Sequence, residues 1–220
     1  EVLFEYLKKY NCNNLQKLNG MWSFAFYNEK KHHLTLSRDL LGERHLFYLI
    51  EDNKLYFSSE VKPILHVSDK ARNIDEDSLI ESWKYNSCAP GKTLIKDVFR
   101  LEPGTNLEVF NSQIKKKKHT KLNIDSWSPF FKKKPTFKKV FDKFEKILTK
   151  EIKLRIPKDV QFYNTLSGGI DSSIITYITN KIEPNFTKSI YVISGKNQIK
   201  KYNGISELEL SKVISKKFKI

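Results

Sequence analysis

The apolar residues Val2, Leu3, Tyr6, Leu7 and Tyr10 recur at the three-to-four-residue interval of an amphipathic helix. After Asn19-Gly20 the period falls to two. Met21–Tyr27 alternates large and small side chains, and Leu34–Ser37, Leu46–Ile50 and Lys54–Ser58 are further short strand candidates separated by polar turns. Connections this short demand antiparallel pairing, because a parallel crossover takes about a dozen residues or more. Asp75 stands where it would cap a short helix through Trp83, and Leu101-Glu102-Pro103-Gly104 reads as a turn ahead of a strand at Asn106–Phe110.

Beyond residue 112 the pattern changes. Residues 113–135 are polar, rich in lysine and punctuated by Pro129 and Pro135, which reads as a linker. Thr136 then precedes a helix whose Phe137, Val140, Phe141, Phe144, Ile147 and Leu148 form one apolar stripe. A strand at Val160–Leu166, a glycine turn, a helix at Ile170–Lys181, a strand at Lys188–Ile193 and a helix opened by Ser206-Glu207-Leu208-Glu209 follow. Strand, helix, strand, helix is the grammar of a parallel α/β sheet. The expected organisation is therefore an antiparallel α+β domain over 1–112, a linker over 113–135, and a parallel α/β domain over 136–220.

Composition narrows the picture. With 39% hydrophobic and 13% aromatic residues the 220-residue chain can bury a core. No apolar run reaches the length of a membrane span, and no apolar leader opens the chain. It begins at Glu1 and its single methionine is Met21, so a piece of a longer protein, or a processed one, is expected. Cys12 and Cys88 have no zinc or CxxC spacing, which fits a reducing, cytoplasmic setting. His32, His33, His45, His66 and His119 show no metal-binding pattern.

The net charge of +15 invites a nucleic-acid reading, but its distribution argues against one. Residues 113–150 hold 13 lysines against Asp125, Asp142 and Glu145, so most of the excess sits in one polar stretch. Only five of the 40 basic residues are arginine, the side chain whose planar fork best reads phosphates and base edges. No nucleic-acid partner is expected.

The chemistry concentrates in Leu166-Ser167-Gly168-Gly169-Ile170-Asp171-Ser172-Ser173, which joins a predicted strand to a predicted helix. Two glycines let the backbone turn tightly and approach an anion. The helix that follows aims unpaired N–H groups and its positive dipole end at the same place. Ser167, Ser172 and Ser173 add hydroxyls, and Asp171 is placed either to cap the helix or to hold a magnesium ion. The GK[ST] signature of a Walker A loop is absent, so this is a phosphate cradle of another kind.

SGGxDSS resembles the pyrophosphate loop of the N-type ATP pyrophosphatases, and Thr165–Ser173 is similar to the form found in glutamine-dependent asparagine synthetases. Four upstream segments resemble the same family in the same order. They are Leu18–Phe26, Arg38–Tyr48 (with His45 where proline is usual), Ser59–Lys62 and Leu101–Gly104. The resemblance implies a class II glutamine amidotransferase domain of the N-terminal-nucleophile fold, followed by an ATP pyrophosphatase domain. In such enzymes ammonia from glutamine passes to the second domain. There the aspartate carboxylate attacks the α-phosphorus of MgATP, and ammonia captures the acyl-adenylate to give asparagine, AMP and pyrophosphate.

Carried onto this chain, the resemblance implies that Ser167, Gly168, Gly169, Asp171, Ser172 and Ser173 hold the pyrophosphate end of ATP, with Asp171 on Mg2+. Leu166 would line the nucleotide pocket and Ile193 would touch adenine, while Ser194 replaces a usual glycine. Arg38, Asp39 and Gly42 read as structural, a charged pair and a tight turn. The family nucleophile is an N-terminal cysteine whose α-amine serves as base; neither Glu1 nor the internal Cys12 can replace it, so no glutaminase activity is expected of these 220 residues. Small-molecule substrates (ATP, aspartate and glutamine) and a homodimer are compatible with the resemblance, and no membrane partner is expected. Two alternatives stay open: a relative acting on another carboxylate, β-lactam-forming or surface-sugar-modifying, and a non-catalytic relative that has lost the glutaminase.

Overall fold

The computed structural model describes residues 1–68, 72–120, 122–184, 189–190 and 207–219. It divides into two compact units, Glu1–Asp125 and Ser126–Ile220.

The first unit opens with helix α1 (Val2–Tyr10), ended by Asn11 in the left-handed conformation. Strands β1 (Ser23–Asn28) and β2 (His33–Arg38) form an antiparallel pair with Ala25 opposite Leu36. Strands β3 (Phe47–Glu51) and β4 (Lys54–Ser58) form another. Helices α2 (Val61–Val67) and α3 (Glu76–Tyr85) follow, and the Asp75 carboxylate accepts from the Ser78 N–H as the capping pattern predicts. Strands β5 (Val98–Arg100), β6 (Thr105–Phe110) and β7 (Gln113–Lys118) complete two antiparallel sheets, ordered β1-β2-β6-β7 and β4-β3-β5.

Alternation along the strands explains the layering. Leu36 and Leu107 from the first sheet meet Tyr48 of the second, with Leu46 and Leu101 that flank its strands β3 and β5, in one buried cluster, so the sheets pack face to face. Leu49, the neighbour of Tyr48, points the other way and is buried with Val98 and Ile64 of α2. Phe24 and Phe26, on the outer face of the first sheet, pack against the cluster of Leu7, Cys12 and Leu15. The result is a helix–sheet–sheet–helix sandwich.

One expectation is corrected here. Residues 113–118 do not belong to a linker: Gln113–Lys118 is an edge strand in register with β6, from Thr105 opposite Lys118 to Phe110 opposite Gln113. A run of lysines read as linker because no apolar alternation marks it. On an exposed edge, though, lysine is the residue that discourages pairing with another chain. Lys116 also lies 5.4 Å from the Tyr48 ring and 5.7 Å from that of Phe99.

Arg38 and Asp39 are indeed structural, but not as a charged pair. Arg38 is buried, and its guanidinium donates to the carbonyls of Arg44 (2.7 Å), Leu101 (2.6 Å) and Gly42. Its Nη2 also lies 3.2 Å from His45 Nδ1. Asp39 is buried too, and its carboxylate accepts from the N–H groups of Leu41, Glu43 and Arg44, each at 3.1 Å. Burial opposes ionisation of Asp39, but the backbone donors outweigh it and hold the carboxyl below the usual carboxylate range. Gly42, at φ +68°, is the residue this knot requires: a Cβ there would stand 2.8 Å from the Arg38 guanidinium carbon and from Pro103.

The second unit contains α4 (Ser128–Lys132), α5 (Phe137–Arg155), β8 (Asn164–Thr165), α6 (Ile170–Ile182), β9 (Ser189–Ile190) and α7 (Glu207–Phe218). Strands β8 and β9 are parallel, as the strand–helix–strand grammar requires, and the Leu166 N–H continues the ladder to the Ile190 carbonyl at 3.0 Å. Thr136 caps α5 through the Lys139 N–H. The stripe on α5 is real as a pattern, yet no residue of that helix is buried, and Phe137, Phe141 and Phe144 are more than half exposed.

Candidate functional site

The loop between β8 and α6 is built by its two glycines in different ways. Gly168 has φ +83°, and a Cβ there would come within 2.7 Å of Leu210 Cβ and 3.0 Å of the Glu207 carbonyl, in the first turn of α7. Gly169 has φ −71°, lies in open surroundings with only Ser167 Oγ nearby at 3.4 Å, and is the N-cap of α6. Gly168 is therefore the position that only glycine can fill. The contact with α7 was not legible in the sequence, where Gly168 and Gly169 look equivalent.

The serines hold the loop's shape. Ser172 Oγ lies 3.0 Å from Ser167 Oγ and accepts from the Ser167 N–H at 3.3 Å, while donating to the Gly169 carbonyl at 3.1 Å. Ser173 Oγ donates to the same carbonyl at 2.6 Å. These bonds close the strand-to-helix turn across the first turn of α6. The amides of Ile170, Asp171 and Ser172 open that helix and have no intrahelical acceptor.

Asp171 stands in this first turn, exposed to solvent. No side chain caps α6, so the capping reading of Asp171 does not hold. Among the described residues its carboxylate makes no hydrogen bond or ion pair; it sits beside free amides and the positive end of the helix dipole. A carboxylate, hydroxyls and free N–H groups around one helix start are a donor set suited to a polyphosphate and a hard divalent cation.

Leu166, expected to line the nucleotide pocket, has a fully buried side chain next to β8. Ile193 and Ser194 lie outside the described residues. Asn164 and Ser189 face each other on β8 and β9, and Asn164 Nδ2 and Ser189 Oγ are buried without a partner among the described residues. Buried polar atoms without partners are rare and mark positions of interest. A polar residue inside a short predicted strand was the available signal.

Two further features bear on chemistry. Cys12 is buried and burial pushes its thiol up, the reverse of what a nucleophilic thiolate needs. Among the described residues, no helix is long and apolar enough to cross a membrane.

Comparison with known proteins gives both units a family. Residues 1–120 match the glutamine amidotransferase domain and residues 143–219 match asparagine synthase. Similar curated proteins include a Methanocaldococcus jannaschii protein named for asparagine synthetase [glutamine-hydrolyzing] 2, 30% identical over 80% of this chain and 34% of its own length. Asparagine synthetase [glutamine-hydrolyzing] 1 of Bacillus subtilis is 28% identical over 84% of this chain and 28% of its own. An amidase of Gibberella zeae is 23% identical over 86% and 27%. The chain thus spans about a third of the length of these relatives. With a sandwich of antiparallel sheets in the first match and the SGGIDSS turn in the second, the chain belongs to the glutamine-hydrolysing asparagine synthetase family.

Proposed function

We propose that this chain is part of an enzyme that amidates aspartate to asparagine with ammonia drawn from glutamine. The carboxylate is activated by ATP as an acyl-adenylate, and AMP and pyrophosphate are released. The observation that carries this reading is the β8–α6 loop: an unpartnered Asp171 beside free amides, inside a segment that matches asparagine synthase. The amides at the start of α6 bind the pyrophosphate end of ATP. The hydroxyls of Ser167, Ser172 and Ser173 hold the turn in shape in the free chain and would turn to the phosphates on binding, those of Ser172 and Ser173 from the Gly169 carbonyl. Gly169 leaves room for the backbone to approach it, Gly168 makes the turn against α7, and Leu166 is assigned to the nucleotide pocket.

Asp171 is the residue we assign to Mg2+, whose charge would offset that of the departing pyrophosphate. Ile193 is proposed to meet the adenine. In the first unit, the helix–sheet–sheet–helix layering supports an N-terminal-nucleophile-type glutaminase sandwich, to which β7 contributes the edge.

A second reading has an observation of its own. Similarity to the Gibberella zeae amidase covers as much of this chain as similarity to the synthetases does, so relatives named for different activities share this segment, and an acceptor carboxylate other than aspartate is the second reading. Supplying the protein from its whole reading frame with ATP, glutamine and one carboxylate at a time separates the two. Aspartate-dependent formation of AMP and pyrophosphate in equal amounts is expected. Turnover with another carboxylate and none with aspartate would replace the first reading by the second.

A further inference from the structure

Outside the loop, the described residues contain a groove of about 630 Å³ on the outer side of the second sheet of unit one, bordered by α2 and α3. Its size lies within the range of small-molecule sites, roughly 300–1,000 Å³. Phe47, Leu65 and Ile95 give it an apolar floor, and all three belong to the packing around the buried Leu49–Ile64–Val98 cluster. That floor is therefore held in place by the core.

The charged side chains that line it among the described residues are Lys62, Lys92 and Arg100, all basic. Two of the acids close in sequence are held by backbone amides. Glu81 Oε2 accepts from the Ala89 N–H at 3.0 Å, and Asp75, whose charge offsets part of that on Lys92, accepts from the Ser78 N–H. Arg100 comes from β5, so its backbone is fixed by pairing with Phe47 of β3. Like charges gathered along one apolar concavity repel one another unless an anion joins them.

We infer that this groove binds a small organic anion carrying at least two negative charges and an apolar part. Arg100 and the two lysines would take the charged groups, and the Phe47–Leu65–Ile95 floor the remainder. This is a second ligand site, in the amidotransferase unit, and it does not rest on the reading of the β8–α6 loop.

Cys88 lines the groove and is partly exposed, whereas Cys12 is buried, so alkylation of Cys88 by the neutral reagent iodoacetamide reports on this groove alone. Inorganic pyrophosphate and citrate serve as probes in separate arms. At ten times its Kd, an occupying probe should slow Cys88 alkylation about tenfold. Protection by pyrophosphate identifies a phosphate ligand and protection by citrate a polycarboxylate; either supports the site. The double variant Lys92→Gln/Arg100→Gln should abolish protection, and Lys62→Gln should weaken it. Gly168→Ala, in the other unit, should leave protection unchanged. Alkylation unaffected by both probes would overturn the inference, and so would protection that survives the double variant.

Discussion

Two turns in this chain pair an aspartate with a tight glycine, and they use their polar groups in opposite ways. At Arg38–Arg44 every strong group is satisfied inside the protein: three carbonyls receive the guanidinium, and three backbone amides meet the Asp39 carboxylate. At Ser167–Ser173 the serine hydroxyls close the turn, while Asp171 and the first amides of α6 are left facing solvent. A closed hydrogen-bond set stabilises a fold and leaves nothing for a ligand. An open set contributes little to the fold and is the form a binding site takes. Both turns carry an aspartate and a glycine at positive φ, Gly42 and Gly168; the disposition of hydrogen bonds tells them apart.

The largest effect that sharpens this contrast is expected at Arg38. Arg38→Met keeps the length of the side chain but leaves the buried Leu101 carbonyl and the half-buried Arg44 and Gly42 carbonyls without their donor, at about 1–3 kcal/mol for a fully buried group and less for the others. A fall of about 3 kcal/mol in urea unfolding of the first unit is expected. A fall below about 1 kcal/mol would show that water replaces the guanidinium at little cost.

Asp39→Asn comes next, at about 1–3 kcal/mol, since an amide cannot accept at both oxygen positions. The pH dependence gives the sign. Because the folded carboxyl lies below its unfolded value, its contribution is complete above the unfolded range, about pH 4, and is lost as pH falls through the lower folded value. The wild type should therefore lose stability over that acid window. The Asp39→Asn variant, lacking the titrating group, should lose less, and parallel acid limbs would contradict the assignment.

The glycines of the second turn give a smaller and directional test. Gly168→Ala places a Cβ 2.7 Å from Leu210 in a left-handed backbone conformation and should cost about 1–3 kcal/mol in the second unit. Gly169→Ala meets only Ser167 Oγ at an ordinary φ and should cost no more than about 0.5 kcal/mol. Hydrogen exchange in α6 and α7 reads both; equal effects would mean that α7 does not pack on Gly168.

Much of the architecture was legible because local rules and burial agree. The helical spacing of Val2–Tyr10, the period-two strands, and the caps at Asp75 and Thr136 all appear where the pattern puts them. What was not legible depends on partners distant in sequence. Gln113–Lys118 became a strand because β6 offers it a ladder, not because its own residues alternate. The α5 stripe shows that an apolar face states a need for a neighbour without naming one. At the loop, the motif singled out residues that the fold gathers around one helix start. It could not show that Leu166 faces inward, that Gly168 rather than Gly169 is sterically constrained, or that Asp171 caps nothing.

The open turn is tested most directly by Asp171→Ala in the protein from the whole reading frame, with pyrophosphate and glutamate release measured in parallel on the same preparation. Loss of the carboxylate should lower pyrophosphate formation about 100-fold or more, as for several kcal/mol of transition-state stabilisation, with glutamate release and the urea midpoint unchanged. Pyrophosphate formed at near the wild-type rate would contradict the assignment and make the Ser167–Ser173 segment a structural turn like the one at Arg38.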